Sequence, residues 1–294
     1  MNRWQQIGKR DWGQIREIWA NHVPPIPRRA AAPTILSEKI IGDGLAAQSL
    51  VFDALNVCPD SLREAILWEA VFLLHKGGHA ICSAQDTLNS GRVSWSQFNA
   101  YHGAFLVGRA VLAFLGVCTP RPGGQYFLLD AFPPPAKIKK GKAPIAPQIH
   151  LWRAKQQIEQ RQFWELLIRT IRMTDGAPWN VDIADSLLNV NPELFSKRRN
   201  PFLYSVPFWP FADLIQPSAQ MNILTKDADF PAGLLDDTSP QFLWVTALFT
   251  FQLGLQLLKD LASGIPLLDQ ELLAFRNGYW PTANGNYELF FGPV

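Results

Sequence analysis

SWSQFNAYHGAFLVGRAVLAFLGV, residues Ser94–Val117, reads as one strongly apolar helix. Ser94-Trp-Ser-Gln97 has the form of a capping box and Gly116 that of a helix stop, so both ends are marked in the sequence. A helix this apolar has to be buried, yet it carries His102 and Arg109. The two lie seven positions apart, about two turns, and so share nearly one face. Ionisable groups are costly to bury unless they are paired or used. One reading is structural: a core histidine bonded to backbone, and an arginine paired with a carboxylate from a neighbouring helix, all packed among Tyr101, Phe105, Leu112 and Phe114. The other is a binding site built on His102 and Arg109.

The rest of the chain is punctuated in the same way. Ser61-Leu-Arg-Glu64 is a capping box ahead of AILWEAVFLLHK, and Gly77-Gly78 is predicted to stop that helix. Thr238-Ser-Pro-Gln241 opens another apolar helix that leaves at Ser263-Gly264, and Asn191-Pro192 starts a short one, PELFSKRR. IHLWRAKQQIEQRQFWELLIRTIRM is predicted as one long helix, with Phe163, Trp164, Leu167, Ile168 and Ile171 at helical spacing. Strand signals are sparse: Tyr126–Phe132 and Asn286–Phe291. The Pro/Lys-rich stretch PPPAKIKKGKAPIAP, residues 133–147, reads as a loop, and residues 200–240 read as an irregular but packed connection. The expected fold is mainly α, a helical bundle with irregular Pro/aromatic-rich connections and at most a few short strands. Residues 1–45 are expected to form an N-terminal helical extension and residues 46–294 the main helical domain.

Composition narrows the class. With 294 residues, 48% hydrophobic and 18% charged, the chain is globular and able to bury a large core. A net charge of +2 makes any basic site local. Eleven tryptophans and 19 phenylalanines favour a thick core or a large buried interface. Cys58, Cys82 and Cys118 form no CxxC pair, which fits reduced thiols in a cytoplasmic protein. The N-terminus lacks the apolar core of a signal peptide. PQFLWVTALFTFQLGLQLL, from Pro240 to Leu258, carries no charge, but Gln241, Gln252 and Gln256 interrupt it. It is expected to be a buried core helix, with no membrane partner.

The opening helix, with Ser94, Ser96, Phe98, Ala100, Tyr101, His102, Ala104, Phe105, Arg109, Ala110, Leu112 and Gly116, resembles a signature helix of the HEPN superfamily. The helix opened by Ser61 sits where that family's first helix would be. The resemblance implies a HEPN-like helical bundle in a bacterial toxin–antitoxin or antiviral defence system, acting on RNA. It further implies a metal-independent ribonuclease, assembled as a homodimer or with a partner protein. The family's motif is an arginine, a polar residue and then a histidine four to six positions beyond the arginine. Its logic is that histidine moves a proton at the ribose 2′-hydroxyl while arginine stabilises charge on the phosphorane. Arg199 and Asn200 match. The histidine position holds Tyr204, whose phenol ionises near pH 10 and is a poor base at neutral pH. The catalytic set implied by the resemblance is therefore Arg199 and Asn200, with His102 or Tyr204 in proton transfer.

Arg109, Lys197, Arg198, Lys139 and Lys140 are candidates for contacting RNA or a ligand. Lys197 to Arg199 equally suit a helix C-terminus, and the lysines near Lys139 equally suit a solvated loop. His75 and His79 have the spacing of a zinc pair but lack a glutamate between them, and Gly77-Gly78 is expected to break their helix. No GxxxxGK[ST], GxSxG or GxGxxG is present, and Asp182, Asp185, Asp236 and Asp237 are scattered. No cofactor and no metal are expected. The competing reading is a non-catalytic helical subunit that binds a partner protein or a nucleotide.

Overall fold

A computed structural model of the chain describes residues 7–22, 36–42, 44–45, 51–53, 59–133, 148–154, 158–204, 242–266 and 268–269. For 51–53, 59–61, 148 and 201–204 it describes the backbone alone. These residues form a mainly α protein, as predicted. Its helices are α1 (Trp12–His22), α2 (Leu36–Gly42), α3 (Pro59–Asn89), α4 (Val93–Phe114), α5 (Gln160–Arg172), α6 (Val181–Leu188), α7 (Pro192–Tyr204) and α8 (Phe242–Ala262). The strands are short: β1 (Arg10–Asp11), β2 (Val51–Asp53), β3 (Val117–Cys118), β4 (Phe127–Asp130), β5 (Gln148–Arg153) and β6 (Thr174–Asp175). The second strand expected from sequence, Asn286–Phe291, lies outside the described residues, as do residues 134–147 of the Pro/Lys-rich loop.

The centre is an antiparallel hairpin of α3 and α4, and here the structure corrects two expectations. Gly77 and Gly78 do not stop α3, which runs on to Asn89. Each glycine costs a helix about 1 kcal/mol relative to alanine, and packing compensates. A Cβ on Gly77 would lie 2.4 Å from Val107 Cγ2 and 3.1 Å from the Gly103 carbonyl, and one on Gly103 would lie 2.6 Å from Ile81 Cγ1. The two backbones therefore touch, with Val107 and Ile81 filling the spaces a β-carbon would take. The turn between the helices is set by Gly91 at φ +73°. The Arg92 amide donates to Thr87 O at 2.9 Å and the Gly91 amide to Leu88 O at 2.8 Å, a Schellman closure that needs a left-handed residue. Because this turn is so tight, α4 has already begun at Val93, and its N-cap is Arg92 without a side-chain cap. The expected capping box at Ser94–Gln97 does not form. Ser94 and Ser96 are buried within the helix, and Ser96 Oγ accepts from Trp244 Nε1 of α8 at 3.0 Å. The far end is as read: Gly116, at φ +78°, follows the helix and its amide donates to Ala113 O at 2.9 Å.

α8 takes up the described part of the apolar Pro240–Leu258 stretch, from Phe242 on, and among the described residues it is the helix long and apolar enough to cross a bilayer. Its most apolar window is 83% buried inside the protein, packed along α4 with Gly254 facing Leu74, Val107 and Val111. Thr246 and Thr250 donate their hydroxyls to carbonyls one turn back, so they enter the core satisfied.

The long helix predicted from Ile149 is in fact two elements. Along Gln148–Arg153 the burial alternates, with Ile149 and Leu151 inside and His150 and Trp152 half-buried, the period of a strand. β5 pairs antiparallel with both β2 and β4, in a sheet of order β2-β5-β4-β3. Those ladders satisfy backbone groups that a helix would have bonded internally. The helix starts only at Gln160, behind Glu159, whose carboxylate caps it while the Glu159 amide donates to Gln162 Oε1 at 3.0 Å. Phe163, Trp164, Leu167, Ile168 and Ile171 are all buried, as the spacing predicted.

The N-terminal segment is fastened to this core. Trp12, Ile15 and Trp19 form the buried stripe of α1. Trp12 Nε1 donates to Asp260 Oδ2 at 2.8 Å, and Trp19 Nε1 donates to Phe114 O at 2.9 Å. The deepest fastening is ionic. Arg10 Nη2 bonds Asp130 Oδ2 at 3.0 Å with both side chains 1% exposed, while Nη1 donates to Leu115 O at 2.8 Å.

Gly77→Val should destabilise the fold by about 1–3 kcal/mol, read as a lower urea midpoint, whereas Gly42→Ala, with nothing within 4 Å of its added carbon, should not lower the midpoint. Asp130→Asn should cost about 3–5 kcal/mol, because it leaves the buried Arg10 charge uncompensated. A loss below about 1 kcal/mol in the same unfolding experiment would show that pair to be unimportant.

Candidate functional site

α7 starts where Asn191-Pro192 indicated, with the Glu193 amide donating to Asn191 Oδ1 at 3.0 Å. It then continues through Pro201 to Tyr204, so Arg199 and Asn200 lie inside the helix and not at its end. Arg199 Nη2 donates to Asn200 Oδ1 at 2.9 Å. Its guanidinium carbon stands 5.3 Å from the centre of the Tyr101 ring, close enough for a cation–π contact. Tyr101 is 3% exposed. Its hydroxyl donates to Gln160 Oε1 at 2.7 Å and accepts from Trp164 Nε1 at 3.3 Å. Burial raises the Tyr101 phenol above its ordinary pKa, against the opposing pull of Trp164, Arg199 and Ser196. Trp164 stacks in turn on Phe195 with centroids 4.2 Å apart. Arg199 thus closes an aromatic stack that joins α4, α5 and α7.

Lys197 of α7 is drawn into a surface cluster with Arg161 of α5. Lys197 Nζ meets Glu193 Oε2 at 3.0 Å, and Arg161 bonds both Glu193 and Glu165. The Lys197 hydrogen bond and the Arg161 charge hold Glu193 below the usual carboxylate range. Arg198 is half-buried. Lys139 and Lys140 lie outside the described residues, and Tyr204 is described by its backbone alone.

His102 follows Tyr101 in α4 but sits about 100° further round the helix, in other company. It is exposed, not buried as the opening reading required, because the flank of α4 beside Lys76 is open to solvent. Its ring lies 6.3 Å from that of Phe98, nearly parallel at 22°, and Phe98 packs edge-on against Trp95 at 6.0 Å. Partial burial, then the charge of Lys76, lowers the His102 pKa. Arg109 is half-buried, and its Nη2 meets Glu69 Oε1 of α3 at 3.2 Å. This is the paired arginine of the structural reading. The pair sits in a cleft with Leu73, Leu112, Cys118 and Thr119 whose cavity is about 10 Å³, room for roughly one water. Burial, partly offset by Arg109, raises the Glu69 pKa, and burial pushes the Cys118 thiol up further still.

The structure therefore joins Arg199 with Asn200 and Tyr101, and Arg109 with Glu69, while His102 stands apart with Phe98 and Lys76. Glu69 and the Trp95–Phe98–His102 ladder escaped the sequence reading. The ladder's signal was present as positions i, i+3 and i+7, the spacing of one helical face. Among the described residues no three His, Cys, Asp or Glu side chains gather as metal ligands. His75 and His79 share an unbroken helix after all, with His75 buried and His79 exposed. No family model, curated protein or solved structure matches the chain.

The His102 environment gives a pH prediction. Its folded pKa is below the unfolded value, so the native state binds fewer protons, and this group lowers stability as pH falls through the ordinary histidine range. In an NMR titration His102 should titrate below the ordinary imidazole value, and Lys76→Ala should move it back upward. An unmoved midpoint in that variant would remove Lys76 as a cause.

Proposed function

We propose that the chain is a non-catalytic helical subunit that acts by binding, in a bacterial defence or toxin-like system of the kind the HEPN resemblance implies. The observation that carries this reading is the position of Arg199. An arginine that stabilises a phosphorane has to reach the phosphate and work beside a proton-transfer group. Here the guanidinium lies against the Tyr101 ring and Asn200. The exposed histidine of α4 belongs to the surroundings of Lys76. Tyr204 stands at the motif's histidine position, and a phenol ordinarily ionises far above neutrality. Arg199 is better suited to holding α7 against α4 than to cleaving RNA.

Incubation of the purified chain with tRNA and total RNA, beside an Arg199→Ala variant, tests the reading. Neither protein should cleave, and the variant should lose about 1 kcal/mol of stability with the cation–π contact and the hydrogen bond. Cleavage by the wild type that Arg199→Ala abolishes would overturn the proposal and restore the ribonuclease.

A further inference from the structure

We propose that the outward face of α4, from Trp95 to His102, is a stacking surface for unpaired nucleobases of a flexible single-stranded nucleic acid. The inference rests on the reading that the chain acts by binding. Trp95 is 43% exposed, Phe98 is half-buried beside it and His102 is exposed. The three rings run along one face in sequence at 6.0 and 6.3 Å between centroids. A large aromatic left this open on a core helix is unusual, since burial would gain about 1.5–3 kcal/mol for such a side chain. The face is bounded by cations. Arg92, exposed, precedes it at the start of α4, and exposed Lys76 of α3 stands by His102. Arg92 to His102 spans about 15 Å along the helix axis, enough for two or three nucleotides.

The flanking surface of α3 supports this assignment. Helical spacing sets Leu73, Lys76, Ala80, Ser83 and Thr87 along that flank. The carboxylate that shares it, Glu69, is bound to Arg109. Phosphates thus meet two cations, and bases meet rings. His102, whose pKa is lowered by partial burial and then by Lys76, serves as a ring. A duplex hides the faces of its bases, so the surface selects single strands. It lies on a different flank of α4 from the Tyr101–Arg199 stack.

Fluorescence anisotropy at low salt with labelled oligouridine, oligothymidine and a duplex of equal length tests this, using the full chain. Single strands should bind more tightly than the duplex. Comparing the uridine and thymidine strands identifies which nucleic acid is preferred. Trp95→Ala, at an exposed position, should weaken single-strand binding by between about fivefold and 100-fold, and Lys76→Glu should weaken it and flatten its salt dependence. Wild-type chain that binds neither strand overturns the inference and leaves the face to a protein partner. Binding to duplex as tight as to single strands, or binding untouched by Trp95→Ala, also overturns it. Strands recovered intact or cut from the same samples report separately on whether the subunit is catalytic.

Discussion

The backbones of α3 and α4 meet at Gly77 and Gly103 with no side chain between them, and the remaining core is arranged around that contact. A β-carbon at either position would collide with its neighbour, so the helices would have to separate. Separation would move Val107 away from α3 and spoil its fit against Gly254 of α8. It would also lengthen the reach of Arg109 to Glu69, which spans the same hairpin one helix face away. Three helices and an ion pair thus depend on two absent methyl groups. Interiors packed like crystals do not absorb such a shift gradually.

The same glycines explain where the sequence was misleading. Gly77-Gly78 follows an apolar, capped run, and local rules read it as a stop because a glycine's cost is visible in the sequence while its compensating neighbour is not. The Ser94 box failed for a related reason: the turn at Gly91 had already fixed the start of α4, and Ser96 was required by Trp244, far along the chain. Gln148–Arg153 was absorbed into a helix because its strand period covers only a few residues before the stronger helical pattern of α5 begins. What was legible were features settled by neighbours in sequence: the buried stripe of α5, the Asn191-Pro192 start, the Gly116 closure, and α8 as a core helix.

The candidate site was legible only in its parts. Arg199 and Asn200 could be picked out, and Arg109 could be expected to find a carboxylate. Which carboxylate, and that Arg199 would lie on Tyr101, depend on how α7 and α3 pack against α4. Tyr101 and His102 are adjacent in sequence yet face different neighbours, because one residue of a helix turns the side chain by about 100°. An arginine and a histidine compatible in a motif thereby end up serving separate surfaces.

The placement of α8 has a consequence for how the protein is made. α8 is packed along α4, yet α5, α6, α7 and a long connecting segment are translated between them. At about 5–20 residues per second, the α3–α4 hairpin stands outside the ribosome for roughly ten seconds before α8 emerges to cover it. During that interval Val107, Val111 and the Ser96 end of α4 face water or whatever else will accept them. Such long-range closure slows folding, and the open hairpin in the meantime is a surface for chaperones or for aggregation. A chain cut short before α8 would lack the helix that closes its core, not merely its last element.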